Sequence, residues 1–359
     1  MEPLKEMFNT PFYKKLAAEF KKAESNFNEK QFVNTVTKNL SDLELNQRLR
    51  NTSVVLKQFL PSEYRKSIEL MKRVIPNMHG GYANLIFPDF TGLYGKHDFD
   101  FSLEALKYFT QFGSSEFAIR EYLKHDFDKT IKVMFNWAKD KNHHVRRLAS
   151  EGSRPRLPWS FKLDRVIENP KLTLPILEQL KNDNELYVRK SVANHLNDIS
   201  KEHPNLIIDV VKKWKRKSAH TDWILKHGSR TLLKKGNKHI LAHFGIKENK
   251  AIKVTGFQIK EKQIKTGDYV NFSFALSNSS LKAVSLRIEY AVYFLAANGS
   301  HSKKVFKISE RELPAKSDLK MTKAHSFKKI STRKYNKGLH KLALIVNGKE
   351  FATQSFNLI

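Results

Sequence analysis

The spacing of apolar residues switches from a helical to a strand period near residue 252, and that switch dictates two folding units of different class. Up to about residue 240, apolar residues recur every three or four positions. Leu174, Ile176, Leu177 and Leu180 form one stripe, and Ile207, Ile208, Val210, Val211 and Trp214 form another, the pattern of a helix with one buried face. Beyond 252 the period is two. Leu286, Ile288, Tyr290, Val292 and Phe294 alternate with Arg287, Glu289, Ala291 and Tyr293, and Val270, Phe272, Phe274 and Leu276 repeat the pattern, as half-buried antiparallel strands do. His340, Leu342, Leu344 and Val346 lead into Asn347-Gly348, and Asn298-Gly299 ends another strand; both dipeptides suit type I′ hairpin turns. About 105 residues of such strands predict a small β-sandwich of immunoglobulin-like type. The 359 residues exceed one typical core, so we expect two domains, a helical one over 1–240 and a sandwich over 252–359. Residues 235–250, with Gly236, Gly245 and several lysines, read as a linker.

The helical half repeats weakly. Val145-Arg146-Arg147-Leu148-Ala149 resembles Val188-Arg189-Lys190-Ser191-Val192-Ala193, each after a helix and a short polar break, and Ile119-Arg120 is a poorer third copy. Helix pairs repeating at roughly 40 residues are the mark of HEAT-like solenoids. In such a repeat the valine is expected between helices and the arginine on the concave face. The predicted fold is therefore an α-helical HEAT-like repeat solenoid followed by an all-β immunoglobulin-like sandwich.

Lys plus Arg number 65 against 36 Asp plus Glu, a net charge of +29. That excess suits a polyanionic partner. Charge alone does not separate DNA, RNA and anionic membrane, and a lysine-rich proteome would also give it. No cysteine is present, which excludes disulfides, thiolate catalysis and cysteine-ligated zinc. Residues 1–20 lack the apolar core of a signal peptide, and no apolar run approaches a membrane span. The expectation is a soluble, cytoplasmic protein.

Residues 141–165 hold seven Lys/Arg against two acids. Glu151 closes the helix that carries Arg146 and Arg147. Gly152, Pro155 and Pro158 then break it into an irregular loop bearing Arg154, Arg156 and Trp159. Taken singly, Glu151 is a helix-end acid, Trp159 a loop anchor and the arginines a solvated face. Together they put a carboxylate, four arginines and an indole within 14 residues. A charged carboxylate on a phosphate-binding surface repels the ligand unless it has a task there, such as stabilising positive charge that develops on a deoxyribose.

The run Arg147-Leu148-Ala149-Ser150-Glu151-Gly152-Ser153-Arg154-Pro155-Arg156-Leu157-Pro158-Trp159 closely resembles the signature of the AlkC branch of HEAT-like-repeat DNA glycosylases. Ser114-Ser115-Glu116-Phe117-Ala118-Ile119-Arg120 and the block from Tyr187 through Asp198 resemble two more of its blocks. A subset of that branch also carries a C-terminal immunoglobulin-like domain. The resemblance implies a bacterial base excision repair enzyme that removes small cationic alkylated bases, chiefly 3-methyladenine and also 3-methylcytosine, from duplex DNA. It implies that the DNA is kinked and the base is not flipped into a pocket, and that neither metal nor cofactor is needed. By the same match Glu151 is the carboxylate nearest the anomeric carbon, Glu116 a second acid of the active site and Trp159 the aromatic at the lesion. Arg147 and Arg154 fall where the DNA backbone is touched, and Asp198 lies in a matching block.

Alkylation at a purine N3 makes the base a good leaving group. What remains is to stabilise an oxocarbenium-like sugar and the attacking water, which a fixed carboxylate does. An indole face adds roughly 0.5–2 kcal/mol for a cationic lesion. Bending the duplex costs on the order of 1–6 kcal/mol, to be offset by Arg146, Arg147, Arg154, Arg156 and Arg189, by Lys212, Lys213, Lys215, Arg216, Lys217, Lys226 and Arg230, and by a β-domain with 20 Lys/Arg against 7 acids. That domain is expected to clamp the opposite face of the duplex, and a monomer suits an enzyme that wraps DNA. Two His-Asp-Phe-Asp runs, 97–100 and 125–128, read as helix starts capped by Asp rather than metal ligands. His143-His144 is a helix start and Gly80-Gly81 a turn. Trp137, Trp214 and Trp223 read as core. The rival class is a non-catalytic HEAT-like scaffold for duplex or branched nucleic acid; retention of Glu116 and Glu151 argues against it.

Overall fold

The computed structural model describes residues 3–215, 218–330 and 333–359. Arg216 and Lys217, counted above among the basic residues, lie outside the described residues. Among the described residues, helices run up to His243 and eight strands follow from Ile252. No helix among the described residues is long and apolar enough to cross a membrane.

Contacts divide the molecule into two units. One comprises residues 3–202 and 214–228, the other 203–213 and 229–359. In the first, helices start where asparagine or aspartate accepts from a first-turn N–H: Asn9 from Phe12, Asn28 from Gln31, Asp126 from Lys129 and Asn142 from His144. Asp98 departs from the capping expectation. Its side chain makes no cap bond, because Arg65 takes both oxygens, at 2.5 and 3.0 Å. The repeat expectation holds for the valines: Val145 and Val188 are buried on helices His143–Gly152 and Leu186–Ile199, which pack together, with Ala219–Gly228 beyond.

The arginines behave otherwise. Arg146 donates to the carbonyls of Asp140 and Lys141, and Arg189 donates to those of Asp183 and Asn184. Each thus closes the turn that precedes its own helix. Arg120 is fully buried instead of lining a face, since the loop after Gly152 folds over it and supplies carbonyl partners. Trp137 and Trp214 are core residues as expected, but Trp223 is not: it is 37% exposed and stacks on His227, with centroids 5.0 Å apart.

In the second unit, β1 (Ile252–Ile259), β3 (Tyr269–Asn278) and β6 (Asp318–Ser326) form a sheet in the order β1-β3-β6. The other sheet runs β2-β8-β7-β4-β5, with β2 (Gln263–Ile264), β4 (Val284–Leu295), β5 (His301–Leu313), β7 (Gly338–Val346) and β8 (Lys349–Leu358). Only the short β2–β8 pairing is parallel among those described. Val270, Phe272, Phe274 and Leu276 pack against Leu286, Ile288, Tyr290, Val292 and Phe294 in one core. β4 is buried on its other side as well: Arg287 and Glu289 are closed off from solvent as an ion pair at 2.6 Å, beside Ala291, Ala343 and Ile345. A half-buried strand was expected there, and alternation of charge and apolarity hides such mutual neutralisation. Asn347 and Gly348 both take positive φ, 50° and 80°, as a type I′ turn requires. At Asn298-Gly299 only the glycine does; Ala296 bonds Ser300, so this is a longer loop than the two-residue turn expected. The stretch expected as a linker, 235–250, carries helix Lys238–His243, and Asn347 donates to the Lys247 carbonyl.

Candidate active site

Glu116 precedes helix Ala118–His125, Arg147 and Glu151 lie one turn apart on His143–Gly152, and Asp198 lies in the last turn of helix Leu186–Ile199, which packs against His143–Gly152. Stacking these helices brings together residues up to 82 positions apart in sequence, in an alternating chain of charge. Arg147 Nη1 lies 2.6 Å from Glu116 Oε2, and its Nη2 lies 3.7 Å from Glu151 Oε1. The same Glu151 oxygen is 2.5 Å from Arg154 Nη1. Arg154 then bonds Asp198 Oδ2 through Nε and Nη2, each at 2.8 Å, and Lys201 holds the other Asp198 oxygen at 3.1 Å. Ser114 donates to Glu116 at 2.8 Å.

Glu151 is set below the surface, 5% exposed. Its Oε1 serves both arginines, and its Oε2 has no hydrogen-bond partner among the described residues. Burial works against the charge on Arg147 and Arg154, yet the adjoining carboxylates hold both above the ordinary arginine value. An acid so placed is compensated, and one oxygen is left for a ligand.

The backbone on either side of Glu151 is fastened. Buried His195 donates through Nδ1 to the Ser150 carbonyl at 3.0 Å, while Thr173 contacts its Nε2 at 3.1 Å. Burial pushes this imidazole down to about 3, so the ring is neutral. Arg120 donates to the carbonyls of Gly152 and Arg154, at 3.0 and 2.7 Å, and to that of Phe161. Burial, with Arg154 nearby, lowers it to about 10, still charged at neutral pH. A charged fork facing three carbonyls fixes the loop over residues 152–161 from beneath.

That loop presents Trp159. Its φ is +63°, a conformation that bulky side chains rarely adopt, and its indole is 65% exposed. A buried anchor is thereby excluded. Strain of this kind persists where the surroundings impose it, and it collects at functional positions. Tyr82 meets the indole edge-on at 5.9 Å.

Of the other predicted residues, Arg146 is committed to Asp183 at 2.6 Å and Arg156 to Glu202 at 2.7 Å. Arg189 bonds its turn, and Arg230 opens helix Arg230–Lys234 in the second unit. Arg146, Arg156 and Arg189 thus make these bonds outside the charge chain. Two residues belong at the site without having been singled out. Tyr187 lies under the Arg147 guanidinium at 4.5 Å, and Tyr82 supports Trp159. Tyr187 had a signal, since it sits one residue before the Val-Arg repeat; Tyr82 had none. No group of three or more potential ligands suited to a metal ion occurs among the described residues.

Known proteins match on both units. Residues 96–232 match the family described as DNA alkylation repair enzyme, and residues 253–359 match the YhaZ C-terminal Ig-like domain family. The YhaZ protein of Bacillus subtilis is 41% identical over 350 residues, 97% of each chain. The solved structure of Pseudomonas fluorescens alkylpurine DNA glycosylase AlkC, bound to DNA containing an abasic site analog, is 38% identical over the whole of both chains, with a TM-score of 0.97. The chain belongs to the DNA alkylation repair enzyme family, as a member of its AlkC branch with a C-terminal Ig-like domain.

Proposed function

We propose that this protein is a DNA glycosylase that hydrolyses the N-glycosidic bond of small cationic alkylated bases, 3-methyladenine chiefly and 3-methylcytosine also, in duplex DNA. The observation that carries the reading is Glu151: a carboxylate clamped by two arginines, with one oxygen left over, at the head of the loop that presents an exposed and strained Trp159. Its relative AlkC is an alkylpurine DNA glycosylase held on DNA with an abasic site analog, and that supports the same chemistry here.

As the C1′–N bond breaks, its electron pair returns to the base, which departs neutral. The sugar is left as an oxocarbenium-like cation. Glu151 Oε2 stabilises that cation and orients water; the water oxygen bonds to C1′ as its proton passes to Glu151 Oε2 and from there to solvent, giving an abasic site. The base needs no acid because it already carries the charge. Glu116 acts through Arg147, and Asp198 acts through Arg154, by fixing the guanidinia that aim Glu151. Trp159 offers its π face to the cationic lesion at the kink. The β-sandwich, rich in lysine, holds the far side of the duplex.

Methylated duplex DNA incubated with the protein, with no metal added, is expected to release 3-methyladenine. Glu151→Gln should abolish release while keeping DNA affinity. Tight binding without release by the wild-type protein would reduce the protein to a nucleic-acid scaffold.

A further inference from the structure

Three side chains of one helix hold the surroundings of Glu151. On Leu186–Ile199, Asp198 bonds Arg154 and buried His195 donates to the Ser150 carbonyl. Tyr187, near the other end of that helix, meets Arg147: the guanidinium carbon stands 4.5 Å from the centre of the ring. Tyr187 and Asp198 are about three helical turns apart, so they share a face. Asp198 holds its arginine by charge and hydrogen bonds, whereas Tyr187 holds its own by a ring face.

Arg147 is restrained unevenly along its hydrogen-bonding edge. Its Nη1 is tied to Ser114 at 3.2 Å and to Glu116 at 2.6 Å. Its Nη2 stands 3.7 Å from Glu151 Oε1, beyond hydrogen-bond range. A guanidinium tied at one nitrogen can turn about that tie. Turning Nη2 inward would pair it with Glu151, whose Oε1 is already bonded by Arg154. A ring face opposes the turn, because attraction to the π cloud is lost as the cation slides off it.

The ring is itself held. His144 and Arg147 lie three residues apart on one face of His143–Gly152, and His144 meets Tyr187 edge-on at 5.8 Å. His143 stacks on His144 in turn, with centroids 4.1 Å apart. Burial, with His143 and Arg147 nearby, lowers the pKa of His144. At neutral pH its imidazole therefore brings no charge to compete for the π face.

We propose that Tyr187 is a positioning residue: it holds Arg147 short of Glu151 and so keeps Glu151 Oε2 free for the sugar. The proposal rests on the glycosylase reading.

Single-turnover release of 3-methyladenine by the full-length protein tests this, with rate and half-saturating concentration measured separately. Tyr187→Leu removes the π face and keeps bulk; its rate should fall at least about tenfold, with half-saturation unchanged. Tyr187→Phe keeps the face and should stay within about threefold of the wild-type rate. Unchanged melting curves show that the fold survives. Tyr187 is 41% exposed, so direct contact with DNA is the competing role. Such a contact would raise half-saturation and leave the rate alone, and that result overturns the proposal. So does a Tyr187→Phe protein as slow as Tyr187→Leu. A second readout needs no catalysis. With isotope-labelled arginine, and Arg147 assigned by its loss in Arg147→Lys, the ring current should place the Arg147 side-chain signals upfield in the wild type and in Tyr187→Phe. They should return to the ordinary arginine position in Tyr187→Leu. The upfield signals in a protein that releases no base would sink the glycosylase reading, whereas their absence from an active enzyme would sink the brace.

Discussion

Arg154 reaches Glu151 at 2.5 Å with one nitrogen and Asp198 at 2.8 Å with two others, so a single guanidinium fixes two carboxylates from different helices. An ammonium has no such fork. Arg154→Lys is therefore expected to lower single-turnover release of 3-methyladenine about 10²-fold, the penalty typical of a misplaced reacting group, with DNA affinity changed far less. An undiminished rate would show that Glu151 does not depend on this clamp.

The backbone at Trp159 gives a prediction with opposite signs for stability and activity. Glycine takes φ near +63° freely, whereas any other residue carries strain there. Relief of about 1–3 kcal/mol exceeds the roughly 0.4–1 kcal/mol that a glycine costs through the unfolded chain. Trp159→Gly should melt no lower than the wild type and above Trp159→Ala, yet both should lose excision and lesion preference. A Trp159→Gly protein that melts lower than Trp159→Ala would remove the argument from strain.

His195 and His325 make stability depend on pH. Burial pushes them down to about 3 and about 4, respectively, against about 6.5 in the unfolded chain. Below pH 6.5 the unfolded state takes up protons that the folded state refuses, so stability present above that pH is lost as pH falls. From pH 7.5 to 5 each histidine is expected to remove about 2 kcal/mol. Urea melts across this range check it: the pH slope should shrink in His195→Gln, and an unchanged slope would mean the ring is not the source.

Lys329, Lys334 and Lys337 line one recess of the β unit beside Tyr335. If this surface holds phosphates, replacing the three by Gln lowers the slope of log affinity against log salt by about 0.9 for each lost contact. Binding measured from 50 to 300 mM salt decides; an unaltered slope leaves the sandwich idle on DNA.

Gly152 follows Glu151, and a Cβ there would stand 2.5 Å from Ile119 Cγ2. Gly152→Ala should cost about 1–3 kcal/mol of stability, as overpacking does, and also shift Glu151. A melting temperature equal to the wild type would show the two helices free to part.

The helical half, the strands that follow it and the run that holds Glu151, Arg154 and Trp159 were legible because their signals are local. Periodicity exposes strands and helices wherever one face is buried, and Glu151, Arg154 and Trp159 fall within one short run. Arg120 defeated the same logic. It follows the Ile-Arg pattern of a repeat, but its surroundings are set by carbonyls from residues 152–161, which no nearby residue announces. Tyr82 comes to Trp159 through chain folding alone. Arg146 and Arg189 look like surface charge in sequence, and only the coordinates show them tied to turn carbonyls.

The charge chain through Glu116, Glu151 and Asp198 holds three anions against Arg147, Arg154 and Lys201, so it sums to nothing on a protein of net +29. On the proposed glycosylase reading, a duplex drawn in by the whole surface would find no net pull at Glu151. Undamaged DNA would then have no electrostatic reason to stall at that spot, and an enzyme built this way would scan intact sequence without becoming trapped on it.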